Sequence, residues 1–390
     1  MAISKKVASD LSRASWIRRM FEEGQRLRAQ YGADNVVDLS LGNPVLEPPQ
    51  EVLQTISRLA TSPPPGLHRY MPNAGHPAVR EKIAAYVAEE FSLPVQPADI
   101  IMTCGAGAAL NISLKALLDP GEGVIVLAPF FPEYEFYVEN HGGRLKVVNS
   151  APDFSLDLTA TERALQPGIK ALILNSPNNP TGRVYSTGEL KALAELLHTK
   201  SQAFGYPITV LSDEPYRKIV FDGLEITSIF EIYPATILIN SHSKDLGLAG
   251  ERIGYAAISP NHPDREPLRN ALTFTNRTLG FVNAPSLFQY AAAENQRSSV
   301  PTAHYQQLRD LLCRGLEEAG LSFEKPQGAF YVFPRTPGDE MVFIQKLLEQ
   351  RVLAVPGAGF ACPGHVRMAF CVRREELERA VPAIIRAARG

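Results

Sequence analysis

The sequence predicts an α/β protein whose large domain holds a mostly parallel sheet covered by helices on both faces, beside a smaller α+β domain. From about residue 75, short apolar runs alternate with helical stretches, which is the pattern of strands joined by helical crossovers. After about residue 282 the order changes to two helical stretches, antiparallel-looking strands and a final helix. We therefore predict a large domain over residues 43–283 and a small domain from residues 1–42 and 284–390.

The N-terminal elements belong to the predicted small domain. Apolar residues recur at helix-like spacing between about residues 8 and 30, with Ser12 or Ser15 as a candidate helix cap. Residues 36–41 predict a strand that ends in the turn Gly42-Asn43-Pro44. We expect the N-terminal helix to pack with the C-terminal part of the chain.

The remaining elements follow in order along the chain. The predicted strands of the large domain are the apolar runs at residues 99–104, 124–127, 145–148, 171–174, 208–211, 237–239 and 253–258, and its clearest helices are at residues 76–91, 105–118 and 189–199. In the small domain we predict helices at residues 285–297 and 301–319 and strands at residues 322–324, 328–333 and 365–370. Because ligands bind beyond the carboxyl ends of parallel strands, the polar residues that follow these strands are the candidates for function.

The composition is that of an ordinary globular protein. The chain has 390 residues, 45% of them hydrophobic and 21% charged, which is enough for two domains. Its 39 basic and 41 acidic residues leave a net charge of −2, so neither nucleic acid nor an anionic membrane is expected as the main partner. Four scattered cysteines predict reduced thiols and no metal site, and the lack of a signal core or of a membrane-length apolar run predicts a cytoplasmic protein.

One stretch, from Thr236 to Tyr255, carries the strongest candidate for chemistry. A buried strand ends in Ser241-His242-Ser243-Lys244, and Arg252 follows eight residues after the lysine. Lysines are mostly exposed, so an ordinary loop lysine is one interpretation of Lys244. The other is a nucleophile that forms a Schiff base, whose amine must be partly desolvated or near another cation to lose its proton. Arg252 could then bind a phosphate and raise the local positive potential.

A second strand exit offers a candidate anion site. The strand at residues 99–104 leads into Gly105-Ala106-Gly107, and the helix that follows would present free N–H groups to an anion. A dinucleotide fingerprint is disfavoured because the third glycine is missing and the next strand ends without an acid for a ribose. A phosphate without a dinucleotide fits better, and a plain glycine turn is the structural alternative.

Three further strand exits carry amides, acids and aromatic rings. The strand at residues 171–174 leads into the amide-rich turn 175–182, which ordinary turn chemistry also explains. Asp213 follows the strand at residues 208–211, where it could cap a helix or face a cationic ring nitrogen. Phe130 and Phe131 could be core residues or could stack on a planar ligand. Together, these exits describe a site for a phosphorylated, aromatic, carbonyl-bearing cofactor with a basic ring nitrogen.

With these residues in view, the chain resembles the class I/II aminotransferases, in particular the aspartate-aminotransferase-like members of the pyridoxal-phosphate fold called fold type I. The resemblance covers essentially the whole chain. It is carried by Ser176-Pro-Asn-Asn-Pro-Thr-Gly182, by Asp213-x-x-Tyr216, by Ser241-x-Ser243-Lys244 with Arg252, by Tyr70 with Gly75 and Arg80, by Gly105-Ala106-Gly107 and by Arg367. It implies that residues 43–283 bind pyridoxal 5′-phosphate and that the protein is a transferase of amino-acid metabolism, with a biosynthetic role.

The resemblance also implies roles for residues around the cofactor ring. Lys244 would bind the cofactor covalently and later move protons. Asp213 would keep the pyridine nitrogen protonated, and Asn179 and Tyr216 would bond to the phenolic oxygen of the ring. Phe131 would stack on the ring, at a position where many relatives have Trp or Tyr.

Other matching residues would bind the phosphate. By resemblance these are Ser241, Arg252 and the backbone N–H groups of Ala106 and Gly107. Tyr70 would reach the phosphate of a neighbouring subunit, which implies a homodimer with shared active sites.

The substrate residues and the reaction follow from the same resemblance. Arg367 would hold the substrate α-carboxylate in a bidentate fork, near Asn179, and Gly42 would let the substrate approach the backbone closely. Lys244 would act as general base at the substrate Cα, and an L-amino acid and a 2-oxo acid would react in turn with ping-pong kinetics.

The side-chain specificity stays open at this point. A dicarboxylic substrate needs a second cation, for which Arg13, Arg18 or Arg19 are candidates, although a solvated helix face also explains them. Three other functions remain as alternatives: another pyridoxal-phosphate reaction such as β-elimination or decarboxylation, a ligand-sensing protein without catalysis, and a nicotinamide enzyme. The last is disfavoured by the incomplete glycine fingerprint, and the segment before Gly42 is too short for a DNA-reading domain.

Overall fold

The computed structural model describes residues 2–13 and 16–390 of the chain. The helices are α1 Lys5–Arg13, α2 Trp16–Tyr31, α3 Gln50–Thr61, α4 Pro77–Phe91, α5 Gly105–Leu117, α6 Glu133–Asn140, α7 Leu158–Ala164, α8 Thr187–Phe204, α9 Ile229–Ile232, α10 His242–Asp245, α11 Arg265–Thr278, α12 Ser286–Glu294, α13 Thr302–Glu318, α14 Glu340–Glu349 and α15 Arg374–Arg389. The strands are β1 Val37–Asp38, β2 Ile100–Thr103, β3 Gly123–Ala128, β4 Arg144–Asn149, β5 Ile169–Asn175, β6 Thr209–Asp213, β7 Thr236–Ser241, β8 Gly254–Ile258, β9 Tyr331–Val332, β10 Val352–Leu353, β11 Val355–Pro356 and β12 Val366–Ala369.

The main sheet has seven strands in the order β2-β8-β7-β6-β5-β3-β4. All neighbouring pairs are parallel except those of β8, which runs antiparallel to both β2 and β7. Every residue of β3, β6 and β7 is buried, as expected for strands covered on both faces, and this explains their continuous apolar character. The predicted α/β class with a mostly parallel sheet is confirmed.

The smaller sheets join the two ends of the chain. Strand β1 pairs in parallel with β10, so a segment from the N-terminal tenth lies beside one from the C-terminal tenth. Strands β11, β12 and β9 form an antiparallel sheet, and one hydrophobic core contains residues from α2, from β1 and from all of these C-terminal strands. Helix α12 packs instead against α3 and α4 on the main sheet's side. The domain boundaries 43–283 and 1–42 with 284–390 stay a prediction.

Some predicted elements are wrong or differ in extent. Residues 322–324 form no strand, and the predicted strand 328–333 is ordered as a strand only at Tyr331–Val332. Phe323 explains the first error, because it packs its ring on the core without pairing its backbone in a sheet. The single helix predicted for residues 8–30 is described as α1 and α2, and the candidate cap Ser15 lies outside the described residues.

The order of the strands brings several polar residues to one edge of the main sheet. Asn175, Asp213 and Ser241 are the last residues of β5, β6 and β7, which are adjacent and parallel. In the register of the sheet Asn175 lies opposite Asp213, and Asp213 lies opposite Ile239. The functional candidates on these exits therefore meet at the carboxyl edge. None of the described helices combines the length and apolar character needed to cross a bilayer.

Candidate active site

A cavity of about 310 Å³ lies at this carboxyl edge. It is lined by nearly all the residues proposed from the sequence, namely Gly42, Ala106, Gly107, Phe131, Asn179, Asp213, Tyr216, Ser241, Lys244, Arg252 and Arg367. The exception is Tyr70, which does not line the cavity of its own chain and is 97% exposed. The sequence candidates therefore come together in one place, although they are spread over more than 300 residues.

Lys244 is partly buried in this cavity, on the short helix α10 directly after β7. Ser241 begins α10 by accepting a hydrogen bond from the Ser243 N–H. The Lys244 Nζ donates a hydrogen bond of 2.6 Å to the carbonyl oxygen of Gly42. An exposed loop lysine, the first interpretation from sequence, does not describe this position.

The surroundings of Lys244 make its amine a nucleophile near neutral pH. Burial lowers the pKa of Lys244 to about 8; Cys371 opposes this shift, and the positive charges of Arg252 and Arg367 each add a smaller lowering. At pH 7 about one amine in ten is then neutral, compared with roughly one in 2,500 for an ordinary lysine. A neutral amine can attack a carbonyl group and can take a proton from carbon.

Asp213 is a buried carboxylate with one oxygen left unpaired. Its Oδ2 accepts a hydrogen bond of 2.5 Å from the Tyr134 hydroxyl, and its Oδ1 is buried without a partner among the described residues. Burial raises the pKa of Asp213 to about 7, with a further contribution from Glu214, while the Tyr134 hydrogen bond opposes the rise. Asp213 ends β6 and caps no described helix. Its free oxygen suits a cationic N–H donor, which would repay the cost of burial.

The candidate anion site predicted from the sequence lies at the first turn of α5. Gly105 has a φ of +77°, and a Cβ there would lie 3.0 Å from an Arg252 guanidinium nitrogen, so the backbone and the arginine approach each other closely. The hydroxyl oxygens of Ser241 and Ser243 are 2.8 Å apart at the same side of the cavity. Free N–H groups of a helix start, a guanidinium group and two hydroxyls are the donors that a phosphate needs. A plain glycine turn would not require Arg252 at this distance.

Arg367 also lines the cavity and is held in place by several contacts. It is 1% exposed, and its guanidinium carbon lies 4.7 Å from the ring centres of both Tyr331 and Phe360. Its Nη1 donates a 3.0 Å hydrogen bond to the Asn179 Oδ1 and its Nη2 donates to the Ser40 carbonyl oxygen. The Nε is buried without a partner among the described residues. Burial lowers the pKa of Arg367, and an incoming carboxylate would offset that cost.

Asn175 connects two of these segments. Its Nδ2 donates to the Asp213 carbonyl oxygen at 2.8 Å, and its Oδ1 accepts from the Asn179 N–H at 2.7 Å. The amide-rich turn after β5 is thereby tied to the end of β6. Simple turn chemistry accounts for the fold of this segment, and the hydrogen bonds place Asn179 beside Arg367.

Three tyrosines of the cavity were not among the sequence candidates. Tyr331 has its hydroxyl 3.0 Å from that of Tyr216. A Cβ at Gly42 would lie 1.8 Å from the Tyr331 hydroxyl, so any larger residue at position 42 would displace the Tyr331 ring. Tyr134 and Tyr137 lie on α6 and both line the cavity. Their i, i+3 spacing directly after the Phe130-Phe131 strand exit was the signal that could have found them. Tyr331 lies in an apolar run where nothing distinguishes it from a core residue.

Phe131 is the aromatic side chain that was predicted from the sequence to stack on the ligand. It lines the cavity and meets the Tyr134 ring edge-on at a centroid distance of 5.6 Å, whereas Phe130 is buried in the core of the main sheet. Of the two phenylalanines at this strand exit, Phe131 is therefore the one that can contact a planar ligand. The side chains of Arg13, Arg18 and Arg19 lie outside the part of the chain that the structure describes.

Comparisons with known proteins agree with this geometry. Residues 34–384 match the family model of the class I and II aminotransferases. The chain is 35% identical to an aspartate/prephenate aminotransferase of Thermus thermophilus, with 92% of each chain covered. It is 32% identical to a probable aspartate aminotransferase of Methanocaldococcus jannaschii, with 89% of this chain and 92% of the relative covered. The crystal structure of an amino transferase from Eubacterium rectale superposes with a TM-score of 0.95 at 38% identity, over 100% of this chain and 99% of the other.

Proposed function

This chain belongs to the class I and II aminotransferase family, and on that premise we propose that its cavity transfers amino groups with Lys244 as the covalent and proton-moving residue. The protein is a transferase, it depends on pyridoxal 5′-phosphate, and its substrates are amino acids and 2-oxo acids. The proposal concerns which residues do what. It rests on one observation, that a single cavity holds an amine with a lowered pKa, a buried carboxylate oxygen without a partner and an anion cradle.

The residues present fit the cofactor at both of its ends. The unpaired Asp213 Oδ1 suits the protonated ring nitrogen, since a buried carboxylate of raised pKa gains most from a cationic partner. The start of α5 with Arg252, Ser241 and Ser243 suits the phosphate. We assign the backbone N–H groups of Ala106 and Gly107 to the same phosphate.

Two residues between these ends are proposed to orient the ring. Asn179 uses its Oδ1 for Arg367, which leaves its amide N–H groups free to donate to the phenolic oxygen. The Tyr216 hydroxyl, held 3.0 Å from that of Tyr331, is the second donor. Burial keeps the pKa of Tyr216 well above its usual value, so the hydroxyl retains its proton at neutral pH. Phe131 supports the ring by stacking.

Two side chains, Arg367 and Lys244, would carry out the main steps of the reaction. Bound pyridoxal phosphate withdraws electrons from an attached amino acid and so acidifies the Cα–H bond. Arg367 binds the α-carboxylate and thereby orients the Cα–H bond toward the Lys244 Nζ. The Nζ would take the Cα proton as general base and then give it to the cofactor carbon. Release of a 2-oxo acid before the second substrate binds gives ping-pong kinetics.

Arg367→Lys tests the proposed carboxylate site. Lysine keeps the positive charge but cannot form the planar fork, and it leaves the Asn179 and Ser40 oxygens without their present partners. We expect kcat/KM for amino-acid donors to fall by about tenfold to a hundredfold, while the Kd for pyridoxal phosphate rises by less than about threefold, since on the cofactor's side only the support of Asn179 is lost. Steady-state kinetics and a cofactor titration measure the two quantities.

The matched control is Arg373→Lys, because Arg373 is largely exposed and pairs with Glu376 outside the cavity. We expect its kcat/KM to stay within about twofold of wild type. Equal kcat/KM values for the Arg367 and Arg373 variants would contradict the assignment of the α-carboxylate to Arg367.

The proposed transamination is tested by product analysis. Purified protein with pyridoxal phosphate is given a panel of L-amino acids with 2-oxoglutarate or pyruvate as acceptor, and amino acids, 2-oxo acids and ammonia are quantified. We expect one new amino acid for each 2-oxo acid formed from the donor, without ammonia. Stoichiometric ammonia would instead show a β-eliminating lyase, loss of carbon dioxide a decarboxylase, and no turnover with any donor a non-catalytic ligand sensor.

We also propose that the protein is a homodimer in which Tyr70 enters the active site of the other subunit. The support is that Tyr70 is 97% exposed in the single chain, which is unusual for an aromatic side chain. Sedimentation of active protein as a monomer would contradict this proposal. The cytoplasmic location and the biosynthetic role stay predictions from the sequence.

A further inference from the structure

Tyr137 has a hydroxyl group that the protein itself does not use. It lies on α6, lines the cavity and is partly buried. No described residue forms a hydrogen bond with this hydroxyl, in contrast to the neighbouring Tyr134, which donates to Asp213. A polar atom that faces a cavity without a protein partner is available to a ligand.

The hydroxyl lies directly beside the first turn of α5. A Cβ built on Gly107 would be 3.1 Å from the Tyr137 Oη, and the next nearest atom is the Tyr137 Cζ at 3.8 Å. The phenol oxygen therefore fills the space into which a side chain at position 107 would project. Gly107 is the third residue of α5, and its N–H is one of the free donors at the helix start. The hydroxyl thus lies next to the residue that carries this N–H group.

The charges around Tyr137 keep its hydroxyl a donor. Burial raises the pKa of Tyr137 to about 12, with contributions from Glu133 and Asp213, while the positive charge of Arg252 opposes the rise. The phenol is then protonated at neutral pH. Glu133 and Asp213 also act on this corner of the cavity, but the groups next to the α5 start are its free N–H groups and the Arg252 guanidinium, which favour a negatively charged ligand.

We propose that the Tyr137 hydroxyl binds the phosphate group of pyridoxal 5′-phosphate, as a donor that α6 supplies in the place of a side chain at position 107. This inference rests on the proposed position of the phosphate at Arg252 and the start of α5. It also explains why position 107 is glycine in this chain, since a larger residue would displace the phenol oxygen.

The test is a titration of the full-length chain with pyridoxal phosphate and with pyridoxal, followed by the change in cofactor absorbance. The cofactor is first released from Lys244 with hydroxylamine and removed by dialysis. For Tyr137→Phe we expect the Kd for pyridoxal phosphate to rise about tenfold and the Kd for pyridoxal, which lacks the phosphate, to stay within about twofold. Tyr185→Phe is the matched control, because Tyr185 is a buried tyrosine in the core between the main sheet and α8.

A rescue variant tests the position of the hydroxyl. With phenylalanine at position 137, a serine at position 107 has room, because its Cβ would no longer meet a phenol oxygen. We expect Tyr137→Phe with Gly107→Ser to bring the Kd for pyridoxal phosphate back to within about threefold of wild type. Failure of this rescue would overturn the claim that the phenol replaces a side chain at position 107.

Arg252→Ala separates this inference from the proposed site. If Arg252→Ala weakens pyridoxal phosphate binding and Tyr137→Phe does not, only the role of Tyr137 is overturned. If neither variant changes the Kd, the proposed phosphate position itself is wrong. Equal weakening of pyridoxal and pyridoxal phosphate by Tyr137→Phe would show an effect on the ring or the fold, and would also overturn the inference.

Discussion

Replacement of Lys244 by alanine is expected to lower kcat for amino-group transfer by about ten-thousandfold or more. The variant loses the amine that attacks the cofactor carbonyl and the base that moves the Cα proton, and no other described lysine lines the cavity. The Gly42 carbonyl oxygen, which now accepts the Lys244 N–H at 2.6 Å, offers no base in its place. The measurement is the rate of 2-oxo acid formation with any donor that the wild type uses.

Two further variants make this result specific. Lys244→Arg keeps a positive charge at the site, but a guanidinium group stays protonated and cannot act as base, so we expect it to be as inactive as the alanine variant. Lys191→Ala removes an exposed lysine of α8 and should leave kcat within about twofold. Wild-type activity in Lys244→Ala would show that the covalent and proton-moving residue has been assigned wrongly.

Asp213→Asn is expected to give the second largest loss, about a hundred- to a thousandfold in kcat. Asparagine preserves the shape of the side chain and can still accept the Tyr134 hydroxyl hydrogen. It removes the negative charge that would hold a proton on the cofactor nitrogen, so bound cofactor would withdraw electron density from the substrate less strongly. Single-turnover kinetics with one amino-acid donor measure the step directly.

The stability of this variant provides an independent test of the same assignment. The raised pKa of Asp213 means that its ionised form is disfavoured in the folded chain without a cationic partner. Near neutral pH and above, where an unfolded aspartate is fully ionised, the charge therefore costs stability, so a neutral asparagine should not lower the melting temperature of the cofactor-free protein.

Glu214→Gln is the matched control for a buried acid. Glu214 is the next residue and is also buried, but it accepts hydrogen bonds from Ser212, Ser228 and Arg217 outside the cavity. Burial also raises the pKa of Glu214, but glutamine would leave the partly buried Arg217 guanidinium without its charged partner here, so we expect this variant to melt lower by about 2 °C or more while kcat changes by less than about threefold. A stability loss in Asp213→Asn with unchanged kcat would assign Asp213 to the structure and not to the chemistry.

Several site residues could be predicted from local sequence because each follows a strand directly. Asp213 ends β6, Ser241 ends β7, and Lys244 lies three residues further on. The apolar runs that predict parallel strands also predict which ends of those strands face a ligand. Arg367 is different, since no local pattern distinguishes it and only the resemblance to the aminotransferases named it.

The reason for that difference lies in how Arg367 is held. Its partners Ser40 and Asn179 come from segments more than 180 residues away, and the Phe360 ring comes from a short 3₁₀ helix that no sequence pattern indicates. The pairing of β1 with β10 also joins distant segments and could not be predicted. A strand of two residues has too little apolar periodicity to indicate its partner. The predicted strand at residues 322–324 is wrong for a different reason, since the apolar Phe323 packs on the core without backbone pairing in a sheet.

By itself, the sequence determined the class of the fold, the strands of the main sheet and the set of polar side chains at their carboxyl ends, since these depend on the period of apolar residues along a short segment. The tertiary structure alone decided that Asp213 has an oxygen without a partner, that the pKa of Lys244 is lowered and that the Tyr137 hydroxyl fills the space beside Gly107. These properties depend on burial and on distances between segments far apart in the chain, which no local pattern of residues encodes.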